Sequence, residues 1–155
     1  MTETSVASVE VTRGRPVPKV NGDTEFFWAA AREHRLVAQR CSACGQLRHP
    51  PGPICPDCQS LEWESAELSG RGTLYSHVTV YQPLPPGFTE PPIVAIVALD
   101  EGIRLVSNVT GVDADDLVIG EPLEVYFVDQ DEGWSAPQFR RPETGARSLL
   151  MKIQE

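Results

Sequence analysis

Long apolar runs are missing from this chain: none of its 155 residues lies in one longer than the seven at 93–99, against the roughly 20 that cross a bilayer. Residues 1–20 also lack the apolar core of a signal peptide. A soluble, cytoplasmic protein is the expectation. Basic residues are scarce, with 13 Lys and Arg against 22 Asp and Glu and a net charge of -9. The imbalance is uneven: residues 70–155 hold 6 basic and 13 acidic residues, so that half alone carries -7. Nucleic-acid affinity rests on cations displacing counterions from phosphates, so a nucleic-acid partner is disfavoured. The catalytic repertoire is thin as well. Only three histidines occur, His34, His49 and His77, each with a ready structural explanation. There is no G-x-S-x-G, no Walker loop and no full G-x-G-x-x-G. Catalysis by this chain alone is not expected.

What the chain does have is turn formers, 12 Gly and 14 Pro, which favour short strands over long helices. Residues 1–22 show no sustained period and read as an extended arm. Asp23 and Thr24 suit a helix N-cap, and Phe26, Phe27, Ala30 and Ala31 follow at helical spacing, which predicts a helix of about three turns within 23–36. Prolines 50, 51, 53 and 56 forbid a helix in the next stretch. Gly70-Arg71-Gly72 reads as a hinge or turn. Strands are predicted at 73–82, 93–99, 104–110 and 123–128. In the first, Leu74, Val78 and Val80 share one face and Tyr75, His77, Thr79 and Tyr81 the other. Such short strands with one helical turn near 113–117 suit a small antiparallel barrel.

All four cysteines form one constellation, Cys41-Ser42-Ala43-Cys44, then ten residues, then Cys55-Pro56-Asp57-Cys58. Two residues between cysteines let a tight turn aim both sulfurs at one point, and two such turns make a tetrahedral cage. Zn2+ is the expected occupant, ahead of iron. Two disulfides would need an oxidising compartment and are the weaker reading. Gly45 supplies the positive backbone angle such a knuckle needs, whereas Gln59 in the second is a poorer substitute. Four thiolates leave no open position for water, so the metal is structural.

Two further features admit both a bland and a sharp reading. Residues 82–92 include five prolines, and the segment is either a surface connector or a rigid loop presenting Leu84 and Phe88 to a partner. Arg32, Arg35, Arg40, Arg48, Arg71, Arg140 and Arg141 are either scattered solvated cations or a phosphate-binding group. Trp28 and Trp63 are expected to pack the helix on the cysteine-rich segment.

The order of these segments is itself distinctive. Phe26-Phe27-Trp28, Leu36 to Gly45, Arg48-His49-Pro50-Pro51, Cys55 to Cys58, Ser69 to Ser76, Pro86-Gly87-Phe88, residues 97–102, Asp115-Asp116-Leu117 and Gln138-Phe139-Arg140 together resemble the zinc-ribbon/OB-fold family of acyl-CoA-associated proteins, long catalogued as a domain of unknown function. The resemblance covers about residues 22–142. It implies a mainly β fold: an extended arm at 1–22, a helix at 23–36, a rubredoxin-like zinc ribbon at 37–69, an OB-fold barrel at 70–142 and a tail at 143–155. It further implies a non-catalytic companion of a thiolase-superfamily enzyme that helps bind or channel acyl-CoA. Retro-aldol cleavage of steroid side-chain CoA thioesters is the implied reaction. Leu84, Phe88, Phe139, Arg140 and Arg141 are then the expected contacts to partner or acyl-CoA. An OB-fold nucleic-acid module, with Tyr75, His77 and Tyr81 as stacking residues, is the rival reading.

Overall fold

A computed structural model of the chain describes residues 14–143, so expectations for residues 1–13 and for the tail beyond 143 lie outside the described residues. It begins with α1 (Glu25–Arg32), entered through a turn in which the Asn21 Oδ1 accepts the amides of Asp23 and Thr24 at 3.0 and 3.1 Å. The capping differs from expectation. Thr24 is the N-cap residue but its hydroxyl bonds back to the Asn21 amide rather than into the helix. The helix is also shorter than the 23–36 segment. His34 takes φ 56°, and the amides of Arg35 and His34 fold back onto the carbonyls of Ala30 and Ala31, closing the last turn.

Three short strands follow, β1 (Val37–Cys41), β2 (Leu47–Arg48) and β3 (Trp63–Glu67), in the order β2-β1-β3. The remaining five close a barrel in the order β4-β5-β6-β8-β7: β4 (Arg71–Thr79), β5 (Ile93–Leu99), β6 (Arg104–Val109), β7 (Pro122–Asp129) and β8 (Ser135–Arg140). Strand β8 was not expected, because Pro137 cannot donate to a ladder and demotes the segment when read alone. It nevertheless pairs with β7 over six residues and meets β6 in parallel at Val109 and Phe139, which closes the barrel. Gly70-Arg71-Gly72 is not a hinge. A Cβ at Gly72 would overlap the Ala98 carbonyl and one at Gly70 would overlap Val125, so the two glycines let β4 start flush against β5 and β7.

Leu74, Ala95, Val97, Leu105, Val109, Leu123 and Phe139 fill the barrel. Tyr75 is an extra residue in β4: Leu74 pairs with Val97 and Ser76 with Ile96. This bulge reverses the alternation that period-2 reading assumes. Val78, expected to share the face of the buried Leu74, is 61% exposed. His77 instead pairs with Ala95, whose side chain is in the core.

Helix α1 is the wedge between the two sheets. Phe26 packs on Trp63 of β3 at 4.7 Å between ring centres, as expected for the ribbon side. Trp28 does not face the ribbon; it meets Trp134, next to β8, edge-on at 5.7 Å. Trp134, a lone tryptophan in an acidic turn, carries no periodic signal in the sequence.

Candidate metal centre and the surfaces around it

The four cysteine sulfurs lie within 4.8 Å of one another. All four cysteines are free, with Cys41 and Cys55 buried and Cys44 and Cys58 exposed. Each pair sits in the same tight turn: the Gly45 amide donates to the Cys41 carbonyl and the Gln59 amide to the Cys55 carbonyl, both at 2.9 Å. Gly45 has φ 77° and Gln59 φ 62°, so glutamine accepts the left-handed angle at the second knuckle. The turns also point amides at sulfur. The Cys44 N–H, with help from that of Ala43, pulls the Cys41 thiol down to about 6. The Cys58 N–H does the same in direction for Cys55, whereas burial and the neighbouring sulfurs push Cys44 up to about 12, and the Cys41 sulfur pushes Cys58 up. Thiolates are the form that binds metal, and four of them fit a tetrahedral Zn2+ with no vacant position. This is a structural zinc site.

The arginines do not assemble into the phosphate-binding group that is one of their two readings; several have separate partners. Arg140 reaches Glu124 at 3.2 Å and Glu143 at 3.1 Å, and Arg141 holds Glu121 at 2.6 Å and the Asp116 carbonyl at 2.6 Å. Arg71 stands 3.5 Å from Asp100, and Arg48 is buried against Gln39 and the Gly52 carbonyl. Arg104 lies over the Tyr75 ring at 3.8 Å. Phe139, expected as a contact residue, is 0% exposed at the centre of the barrel. Its place in the Gln138-Phe139-Arg140 string reflects packing.

The histidines make no nucleophile-base pair among the described residues. His34 Nε2 and Ser135 Oγ both bond Asp129 Oδ1, at 2.8 and 2.5 Å, so the imidazole is engaged by the carboxylate and not by the hydroxyl. Burial against Phe27 pushes the His49 pKa down. The bulge places Tyr75 and His77 off a common stacking face, and Tyr75 is already covered by Arg104.

Residues 87–92 form one wall of an open cleft of about 680 Å³, facing the 109–116 segment, while Leu84 lies outside its lining. Leu84 is 38% exposed, and Phe88 is half-buried under the Arg15 guanidinium at 4.2 Å. In the sequence Arg15 belongs to the 1–22 arm and carries no predicted role. In the fold, with the Gln138 amide turned to satisfy its neighbours, Gln138 accepts from Arg15 at 2.5 and 3.0 Å and donates to Tyr126 Oη at 2.9 Å. Tyr126 in turn is 2.5 Å from Thr110 Oγ1 on the cleft wall. Burial lowers the pKa of Arg15. Glu90, Asp113, Asp115 and Asp116 line the same cleft, so a polyanion entering it would meet carboxylates.

Residues 28–64 match the family described as "ChsH2, rubredoxin-like zinc ribbon domain", and residues 65–128 match "ChsH2, C-terminal OB-fold domain". The chain is 44% identical over 126 residues to the probable enoyl-CoA hydratase alpha subunit of Thermomonospora curvata, covering 81% of this chain and 40% of that protein. It is 38% identical over 118 residues to the 3-oxo-4,17-pregnadiene-20-carboxyl-CoA hydratase alpha subunit of Mycobacterium tuberculosis, covering 76% and 37%. The chain thus spans about two fifths of the length of these relatives. A solved structure titled Ltp2-ChsH2(DUF35) aldolase superposes with a TM-score of 0.77 at 43% identity, covering 81% of this chain and 98% of that one. Four thiolates in a ribbon, a five-stranded barrel behind it and near-complete coverage of that aldolase chain lead to one conclusion: the protein belongs to the DUF35 family of ChsH2-type zinc-ribbon and OB-fold proteins.

Proposed function

We propose that this chain is a non-catalytic accessory subunit of an acyl-CoA-processing complex. It binds a thiolase-superfamily enzyme and helps bind or channel acyl-CoA during retro-aldol cleavage of a steroid side-chain CoA thioester. The carrying observation is the match, 43% identical over 98% of its length, to the chain of the structure titled Ltp2-ChsH2(DUF35) aldolase. The name of the Mycobacterium tuberculosis relative, a pregnadiene-carboxyl-CoA hydratase subunit, supports the steroid thioester. In such a cleavage the partner's base takes the hydroxyl proton as the carbon-carbon bond breaks, and donors stabilise the enolate left on the thioester. This chain's own residues supply architecture: thiolates fixing the ribbon, and the 82–92 loop with Leu84 and Phe88 as the edge proposed to face the acyl chain. Arg140 and Arg141 join that edge only by releasing Glu124, Glu143 and Glu121.

Co-expression tests the reading. The full chain, produced with each thiolase-superfamily enzyme of its source genome, is expected to co-purify with one of them and to switch on or raise its cleavage of a steroid acyl-CoA. Purification alone, with no enzyme gaining activity on its addition, refutes the proposal.

A further inference from the structure

Strand β5 reads Ile-Val-Ala-Ile-Val-Ala-Leu, apolar at all seven positions, although only one of its faces is turned to the barrel core. Ile93, Ala95, Val97 and Leu99 are buried, while Val94, Ile96 and Ala98 point outward and remain half-exposed. A sheet with one face in water ordinarily alternates apolar with polar, and an unbroken apolar run belongs to a strand covered on both sides. The neighbours continue the pattern. Val78 of β4, 61% exposed, pairs with Val94, and Val106 of β6, 64% exposed, pairs with Ile96. Cross-strand partners share a face, so the four form a diagonal apolar row on the outside of the barrel, flanked by Ser76 opposite Ile96 and Asn108 opposite Val94. Tyr75, pushed out by the bulge and 48% exposed, extends it under Arg104.

Charge decides what covers this row. A second copy would bring another chain of net -9 against the first, and residues 70–155 alone carry -7. Like potentials of that size oppose self-association. Within the row the one charged side chain is Arg104, the single base among ten acids between residues 100 and 132. The complementary surface is therefore apolar at its centre, with an acidic group opposite Arg104 and basic residues around it.

We propose that the outer face of β4-β5-β6, centred on Val78, Val94, Ile96 and Val106, is where the partner enzyme's apolar, basic-rimmed surface docks. The inference rests on the accessory-subunit reading and adds to it the surface used. Fully buried apolar positions at the centre of an interface dominate its energy, and a lysine forced there without a partner is costly.

The test uses the co-purifying thiolase-superfamily enzyme as probe, with the wild-type complex measured first. Val78→Lys with Val106→Lys in the full chain should weaken that complex on the order of 100-fold in titration calorimetry. The melting temperature should stay within a few degrees of wild type, because both side chains are exposed. Raising NaCl from 50 to 500 mM should weaken the wild-type complex about tenfold by screening opposite charges. Binding of the double variant within threefold of wild type overturns the docking face but leaves the accessory role standing. A wild-type chain that is dimeric alone by light scattering, and monomeric as the double variant, assigns the face to a second copy and also overturns it. Failure of every wild-type pairing refutes the accessory role itself, and the docking face with it.

Discussion

The ribbon and the barrel solve the same problem with different means. The barrel buries Phe139, Leu74, Leu123, Val97 and Leu105 almost completely, an inner layer drawn from all five strands. The ribbon has three strands of five, two and five residues, and much of what it buries is sulfur and polar atoms: Cys41, Cys55, Gln39 and Arg48. A layer that small cannot offset its own ordering entropy by apolar burial. Metal coordination supplies the difference. One region is thus held by a handful of strong bonds at a point, the other by many weak contacts spread over a surface.

That contrast is broken most forcefully by removing a sulfur. Structural zinc contributes on the order of 10 kcal/mol to the folding of small zinc peptides. Cys41→Ser, or chelation of the wild-type protein, should therefore erase the ribbon's amide signals in two-dimensional NMR while the barrel's stay dispersed. Coincident loss of both sets would mean that the regions fold as one unit. Phe139→Ala is the matching cut in the barrel. A cavity at a fully buried aromatic costs about 3–5 kcal/mol, so denaturant midpoints for barrel probes should fall while zinc content stays at one per chain.

How far each region was legible in the sequence follows from the same difference. The ribbon's chemistry is local, since cysteines two residues apart must share a turn, and Cys41, Cys44, Cys55 and Cys58 are visible before any fold is known. The barrel depends on pairings between distant segments. Strands β5, β6 and β7 show in their composition, but β8 is masked by Pro137 and becomes a strand only because β6 and β7 stand ready on either side. The bulge at Tyr75 has no sequence mark at all, and it alone moves Val78 to the outside and His77 toward the core. The pairings of Arg140 with Glu124 and Arg141 with Glu121 span 16 and 20 residues and leave no local mark, whereas Glu143 lies only three residues from Arg140.

A smaller perturbation sharpens the account of how the barrel begins. Gly72→Ala puts a methyl group against the Ala98 carbonyl, backbone that cannot rotate away. Crowding of that kind costs about 1–3 kcal/mol. Thermal unfolding should drop accordingly, with the ribbon's metal retained; an unchanged melting temperature would show that β4 and β5 slide apart without cost.

The smallest effect concerns the seam between the two regions. His34, at the end of α1, stacks on Phe127 of β7 with ring centres 5.3 Å apart and bonds Asp129, which also accepts from Ser135 of β8. The Ser135 and His34 bonds hold the Asp129 carboxyl below its ordinary pKa. A carboxyl depressed on folding stabilises the protein above its unfolded value, about 3.9, and that contribution disappears as pH falls through the lower folded value. Asp129 is 42% exposed, so solvent screening limits the gain to a few tenths of a kcal/mol. Urea midpoints of wild type and Asp129→Asn should therefore differ slightly at pH 6 and converge as pH falls through the lowered folded value, where wild type loses the same charge. A gap that persists at low pH would assign the seam to the His34 and Phe127 stacking alone, with the carboxylate contributing geometry rather than charge.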